Sequence, residues 1–231
     1  MGKILNIAHR GFTRVYPDNT VEALAAAIEI DADGVEFDVR ETSDCEFVVF
    51  HDAELRGRAI NKLTREEVQQ VRLRGKYRIP TLAEVLRVCG NRTKLFIELK
   101  EVVSFDRLLA LLKSGAPLED VMFLSFNRAL LRELLYREPE IPRAVIVVSP
   151  GEDPLGMMES VQADAIVVRY PFVKRKLVEE VHSVGRAVFV WGLPVSWCLG
   201  GVIALGVDGV ISDFPDVVKK KLAGVGCSTG A

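Results

Sequence analysis

Two histidines and three carboxylates stand where this chain can do acid–base and cation chemistry. Glu36 and Asp38 are two residues apart in the run Gly34-Val35-Glu36-Phe37-Asp38-Val39. A strand turns alternate side chains to one face, so both point the same way. Glu98 and Lys100 repeat the spacing at the end of Lys94-Leu95-Phe96-Ile97-Glu98-Leu99. Carboxylates are costly to bury unless they are paired or bind a cation. Glu36, Asp38 and Glu98 offer three oxygen ligands to a hard divalent ion, Mg²⁺ or Ca²⁺. The competing reading pairs them with Arg10, Lys100 and Arg40. His9 closes the first apolar run and His51 follows Phe47-Val48-Val49-Phe50; imidazole exchanges protons near neutral pH. Arg10 and Lys100 add positive charge suited to a phosphate, or they balance the carboxylates. A cation, a proton donor and acceptor, and a phosphate clamp together describe metal-assisted attack on a phosphoester.

These residues need a scaffold that brings strand ends together. Apolar runs at 3–8, 34–39, 94–99, 121–125, 143–148, 163–168, 186–191 and 207–211 read as eight main strands, with 47–50 as a hairpin arm on the second. Amphipathic segments lie between them: a helix capped by Thr20, then 81–89, 104–114, 127–137, 153–161, 172–184, 195–205 and 215–222. Val/Ile-rich strands alternating with helices predict an α/β protein of parallel strands, a TIM (β/α)8 barrel with a short excursion after the second strand. The reading places a single barrel domain over 1–222, the excursion at 51–80 with one helix at 64–72, and a flexible tail at 223–231. An open doubly wound sheet is the alternative, since periodicity does not report closure. The first strand is not followed by Gly-x-Gly-x-x-Gly, which weakens a dinucleotide-binding version. In a barrel, His9, Glu36, Asp38, Glu98 and Lys100 all fall at the C-terminal strand ends, the face that carries active sites.

Composition narrows the partners. The chain has 231 residues, enough for one large domain or two small ones, and 30 basic against 32 acidic residues give a net charge of −2. That balance gives no global attraction to nucleic acid. No apolar run reaches 18 residues, so no stable membrane anchor is expected. The first ten residues turn polar too soon for a signal peptide. Cys45, Cys89, Cys198 and Cys227 form no Cys-x-x-Cys pair and read as thiols of a reducing cytoplasm. His182 and Lys219-Lys220-Lys221 read as helix-surface groups, and Phe12, Val15 and Tyr16 as a loop that packs or lines a substrate mouth.

The ordered set His9-Arg10-Gly11, Pro17-Asp18-Asn19-Thr20, Glu36-x-Asp38, His51-Asp52 and Glu98-x-Lys100 resembles the glycerophosphodiester phosphodiesterase family. The similarity continues through Ser125-Phe126, Trp191 and Gly206-Val-Asp-Gly-Val-Ile-Ser-Asp213. It implies a TIM barrel that hydrolyses glycerophosphodiesters, its small-molecule substrates, to sn-glycerol 3-phosphate and an alcohol. It further implies that Glu36, Asp38 and Glu98 hold one Mg²⁺ or Ca²⁺, His9 and His51 form the acid–base pair, and Arg10 with Lys100 contacts the phosphate. Trp191 reads as a wall of the substrate pocket. The nucleophile stays open between a substrate hydroxyl and an activated water. Two positions depart from the family pattern. Asp18 replaces the usual Glu of Pro-Glu-Asn-Thr, and Trp191-Gly192-Leu193-Pro194 replaces Trp-Thr-Val-Asn, losing a side chain that both donates and accepts. The second departure motivates an alternative head-group preference, lysophospholipase D-like. A non-catalytic phosphate-binding barrel is the remaining reading.

Overall fold

A computed structural model describes residues 3–149 and 153–225. Strand β1 (Leu5–His9) leads through helix α1 (Val21–Glu29) to β2 (Gly34–Glu41), and β3 (Phe47–Val49) folds back antiparallel on β2. The excursion then contains a ribbon of β4 (Glu54–Leu55) and β5 (Arg58–Ala59), helix α2 (Arg65–Gln70), and a ribbon of β6 (Arg72–Leu73) and β7 (Tyr77–Arg78). From there strands and helices alternate: α3 (Leu82–Cys89), β8 (Lys94–Glu101), α4 (Phe105–Gly115), β9 (Val121–Ser125), α5 (Arg128–Arg137), β10 (Arg143–Val147) and α6 (Pro154–Glu159). The series ends with β11 (Ala165–Arg169), α7 (Arg175–Ser183), β12 (Ala187–Trp191), α8 (Val195–Ala204), β13 (Gly209–Ser212) and α9 (Pro215–Val225).

The parallel order β1-β13-β12-β11-β10-β9-β8-β2 closes because β1 also pairs with β2, matching Ile7 to Gly34 and His9 to Glu36. The open-sheet alternative is therefore excluded, and the architecture is the expected (β/α)8 barrel. Helix α9 continues to Val225, three residues past the expected end, and Leu222 packs on the core. The remainder of the expected tail, residues 226–231 with Cys227, lies outside the described residues, as do Met1 and Gly2 of the start read for a leader. Cys45, Cys89 and Cys198 are free thiols.

The excursion differs from expectation: two ribbons and a 3-10 turn at Ile60–Lys62 accompany its α-helix, which ends at Gln70 because Arg72 and Leu73 belong to a ribbon. The ribbon turns place Arg56 at φ 53° and Arg74 at φ 46°. Hairpin turns of this kind favour Asn, Asp or Gly at such positions, so arginine there concealed them. Inside the barrel, period-2 alternation sends Leu5, Ile7 and His9 of β1 inward, and likewise Gly34, Glu36 and Asp38 of β2. Below the polar ends, Ile7, Phe96, Leu124, Ile146, Val167, Phe189 and Ile211 fill the interior. Phe96 and Phe189 meet edge to face at 5.4 Å. Gly34 and Gly209 make room for them, since a Cβ at Gly209 would lie 2.7 Å from the Phe189 ring. Outside, α3 and α4 bury Leu82, Val85, Leu86 and Leu108, Leu109, Leu112 against the strands. Leu108→Ala is expected to cost about 2–5 kcal/mol, by lost transfer energy and an unfilled cavity, measurable by urea unfolding.

Candidate active site

The sharp turn after β1 sets the first half of the site. Arg10 (φ 54°) and Gly11 (φ 88°) are left-handed. A Cβ on Gly11 would stand 2.5 Å from the Ala23 carbonyl carbon, so only glycine lets α1 pack this closely. Gly11→Ala is expected to destabilise the fold by about 1–3 kcal/mol or more, with a matching fall in Tm. The turn aims the Arg10 backbone N–H at Glu36 Oε2, to which it donates at 3.1 Å. Thr20 accepts a hydrogen bond from the Ala23 N–H and starts α1. Just before it Asn19, held at φ 57°, grips Asp38 twice. Its Nδ2 donates to Asp38 Oδ2 at 2.7 Å, and its Oδ1 accepts from the Asp38 N–H at 3.1 Å.

Glu36, Asp38 and Glu98 present carboxylate oxygens all within 4.8 Å of one another, and all three residues are buried. Arg10 Nε lies 3.1 Å from Asp38 Oδ2, Lys100 Nζ lies 3.0 Å from Asp38 Oδ1, and Lys100 also hydrogen-bonds Glu98. Arg40 does not pair with the trio: it donates to the His51 carbonyl and pairs with Glu101 at 3.0 Å. A register shift between Val39 and Arg40 of β2, which pair with Leu99 and Glu101 of β8, accompanies this change of direction. Burial and the neighbouring Asp38 push the Glu36 carboxyl up to about 8. Burial also raises Glu98, with Lys100 opposing. Asp38 is held low: burial opposes this, but Lys100 and Arg10 outweigh it. Three buried carboxyl groups face two cations, so Glu36 stays protonated near neutral pH until a further cation arrives, and Asp38 Oδ1 has no aligned hydrogen bond. Hard oxygen donors at this spacing fit a divalent cation.

Each pocket histidine has an aspartate at Nδ1. His9 Nδ1 is 2.6 Å from Asp213 Oδ1, while its Nε2 lies 3.9 Å from Glu36 Oε2. Burial lowers the His9 pKa, but the Asp213 hydrogen bond and Glu36 outweigh it, and the pKa rises. His51 Nδ1 is 2.8 Å from Asp52 Oδ1. Asp213 and Asn19 belong to the motifs that carry the resemblance, but the sequence alone assigns them no role. Their partners lie 204 and 19 residues away, and only the closed barrel brings the former pair together. His182 sits apart on α7, bonded to Asp208.

A cavity of about 310 Å³ opens among these groups. Its polar half carries His9, Arg10, Glu36, His51, Glu98 and Lys100; the other half is Leu124, Phe126, Ile146, Val167, Trp191 and Ile211. The Trp191 ring lies 6.4 Å from that of His9 and under Arg169 at 5.7 Å; its Nε1 is buried without a hydrogen-bond partner. Asp18 still reaches Arg10, at 3.4 Å. At the second departure Leu193 is buried in the outer core, and Pro194 precedes α8 without a side-chain cap. Phe12 packs on the core, and Tyr16 meets Tyr77 edge-on at 5.9 Å.

The sequence profile of the glycerophosphoryl diester phosphodiesterase family matches residues 9–217. A glycerophosphodiester phosphodiesterase of Caldanaerobacter subterraneus is 30% identical, covering 94% of this chain and 96% of its own. An Oleispira antarctica phosphodiesterase, solved in complex with the product sn-glycerol-3-phosphate, superposes with a TM-score of 0.86 at 26% identity, covering 94% of this chain and 96% of its own. The Thermotoga maritima glycerophosphodiester phosphodiesterase superposes at 0.78 with 27% identity, covering 96% and 100%. The chain belongs to the glycerophosphoryl diester phosphodiesterase family.

Proposed function

We propose that this enzyme hydrolyses glycerophosphodiesters to sn-glycerol 3-phosphate and an alcohol, with one Mg²⁺ or Ca²⁺ held by Glu36, Asp38 and Glu98. The observation that carries the reading is the pair of Asp–His couples on one cavity with the carboxylate trio. Carboxylates at Nδ1 fix both rings and leave Nε2 as the nitrogen that exchanges a proton. One imidazole accepts the proton of the nucleophile, either water or a glycerol hydroxyl whose cyclic ester water then opens, and the other gives a proton to the departing alkoxide. Arg10 and Lys100 offer N–H donors to the phosphoryl oxygens, whose charge grows during attack. A divalent cation bound there supplies Lewis-acid polarisation of the phosphoryl group. Trp191 and its apolar neighbours exclude water from that side of the substrate. The product complex of the Oleispira antarctica relative supports this substrate class.

The apolar half of the cavity favours a second reading, in which a lysophospholipid is the better substrate. A panel of glycerophosphocholine, glycerophosphoethanolamine and lysophosphatidylcholine separates the two, each assayed with Mg²⁺, Ca²⁺ or chelator. Glycerol 3-phosphate release from the first two, dependent on added cation, is expected. Best turnover of the lyso substrate selects the second reading, and no turnover of any diester with either cation refutes both.

A further inference from the structure

The mouth of the barrel carries a strip of aromatic and cationic side chains that the reaction does not use. Phe214, 41% exposed after β13, lies under the Arg14 guanidinium at 5.7 Å. Two residues after Arg14, in the loop between β1 and α1, Tyr16 packs on Tyr77 of the β6–β7 ribbon, and Lys76 stands 5.3 Å over the Tyr77 ring. Val15 between them is 53% exposed. Val103 and Phe126, after β8 and β9, are also exposed. Thus Val15, Val103, Phe126 and Phe214 all follow C-terminal ends of barrel strands and surround the cavity. Isolated exposed apolar residues mean little, whereas a set ringing one face marks an interaction surface.

The charge of the neighbouring excursion says what meets that surface. Residues 51–80 hold eight Lys/Arg and four Asp/Glu, an excess of four positive charges in a chain of net −2. The motif repeats: Leu55-Arg56-Gly57-Arg58 and Leu73-Arg74-Gly75-Lys76 each form a hairpin tip. Arg56, Arg74 and Lys76 are exposed, and none has an ion pair among the described residues. The Tyr16–Tyr77 contact and an Asn61–Glu101 hydrogen bond tie the excursion to the mouth at two points. Cations beside exposed Phe and Val and half-buried Tyr match a lipid–water interface, where rings and aliphatic groups enter the headgroup layer and cations meet lipid phosphates.

We propose that the barrel mouth docks reversibly on an anionic lipid surface through the two Arg-Gly hairpin tips and the Phe214–Arg14–Tyr16–Tyr77 strip. No helix among the described residues is long and apolar enough to cross a membrane, so the contact is peripheral. Docking does not depend on the catalytic reading.

Co-sedimentation of the full chain with phosphatidylcholine vesicles, with and without phosphatidylglycerol, tests it. Binding is expected with phosphatidylglycerol at low ionic strength and is lost in high salt. Arg56→Asn, Arg74→Asn and Lys76→Gln each weaken it roughly fivefold, while glycerophosphocholine turnover is unchanged. Asn suits the left-handed turn positions, so the first two variants keep their hairpins. Val15→Ser weakens binding at unchanged charge. Equal binding to neutral and anionic vesicles, indifference to the three cation changes, or stronger retention by duplex DNA overturns the proposal. Loss of glycerophosphocholine turnover in the unmodified protein counts against the catalytic reading and leaves docking standing.

Discussion

His9→Ala is expected to lower kcat/KM on glycerophosphocholine by roughly 10²–10⁴-fold, the usual contribution of a positioned acid–base group. Asp213 holds Nδ1 at 2.6 Å and leaves Nε2 beside the carboxylate trio. His51→Ala gives a loss of the same order, and the double variant falls well short of the product of the two, since the pair acts as a unit. The His9 pKa is raised, with burial opposing and the Asp213 bond and Glu36 prevailing. A raised histidine stabilises fully below its unfolded pKa and loses that contribution as pH rises through the folded value. Urea melts of wild type and Asp213→Asn should therefore differ most below the ordinary imidazole range and converge above the raised value. In activity, the Asp213→Asn limb assigned to His9 moves to lower pH. Equal stability differences at every pH would refute the coupling.

Loss of a carboxylate from the trio is the second large effect. Glu36→Gln, Asp38→Asn and Glu98→Gln should each weaken cation affinity by more than the roughly 10–100-fold that removal of an outer-shell partner brings. Chelation should abolish turnover in the unmodified enzyme, and added Mg²⁺ or Ca²⁺ should restore it. The pH dependence has a definite sign. In the cation-free protein burial and Asp38 push Glu36 up to about 8, so near neutral pH it keeps its proton. Binding a cation requires the carboxylate and releases that proton. Apparent affinity therefore climbs with pH up to about 8 and flattens above it. Calorimetry in buffers of different ionisation enthalpy reads the released proton, and Glu36→Gln removes it. Turnover that withstands chelation would refute the cation's role.

Much of this was legible because strand alternation is local. Glu36-x-Asp38 and Glu98-x-Lys100 had to share a face once each run was a strand, and the structure puts all four on the barrel interior. Closure was not legible: it is the pairing of Leu5 with Gly209 and of Ile7 with Gly34, which no short window contains. The same distance concealed the Asp213 contact with His9. Asn19 was within reach, since a loop Asn next to a helix-capping Thr suits a left-handed residue; its partner Asp38 was not. The β4–β5 and β6–β7 ribbons escaped because arginines occupy turn positions where Asn-Gly or Asp-Gly carries the signal.

The loop from Arg10 to Thr20 does several jobs in eleven consecutive residues. Its first backbone N–H fixes Glu36, Gly11 admits α1, Asn19 clamps Asp38 and Thr20 caps the helix. Strand-to-helix loops are the parts of this architecture most often exchanged to change specificity. This one is not an exchangeable module. A chimaera with a crossover inside it would inherit a barrel and a carboxylate trio from different parents, and would lose scaffold and centre together. Productive recombination has to break the chain beyond α1, carrying β1, the loop and the helix as one inherited block.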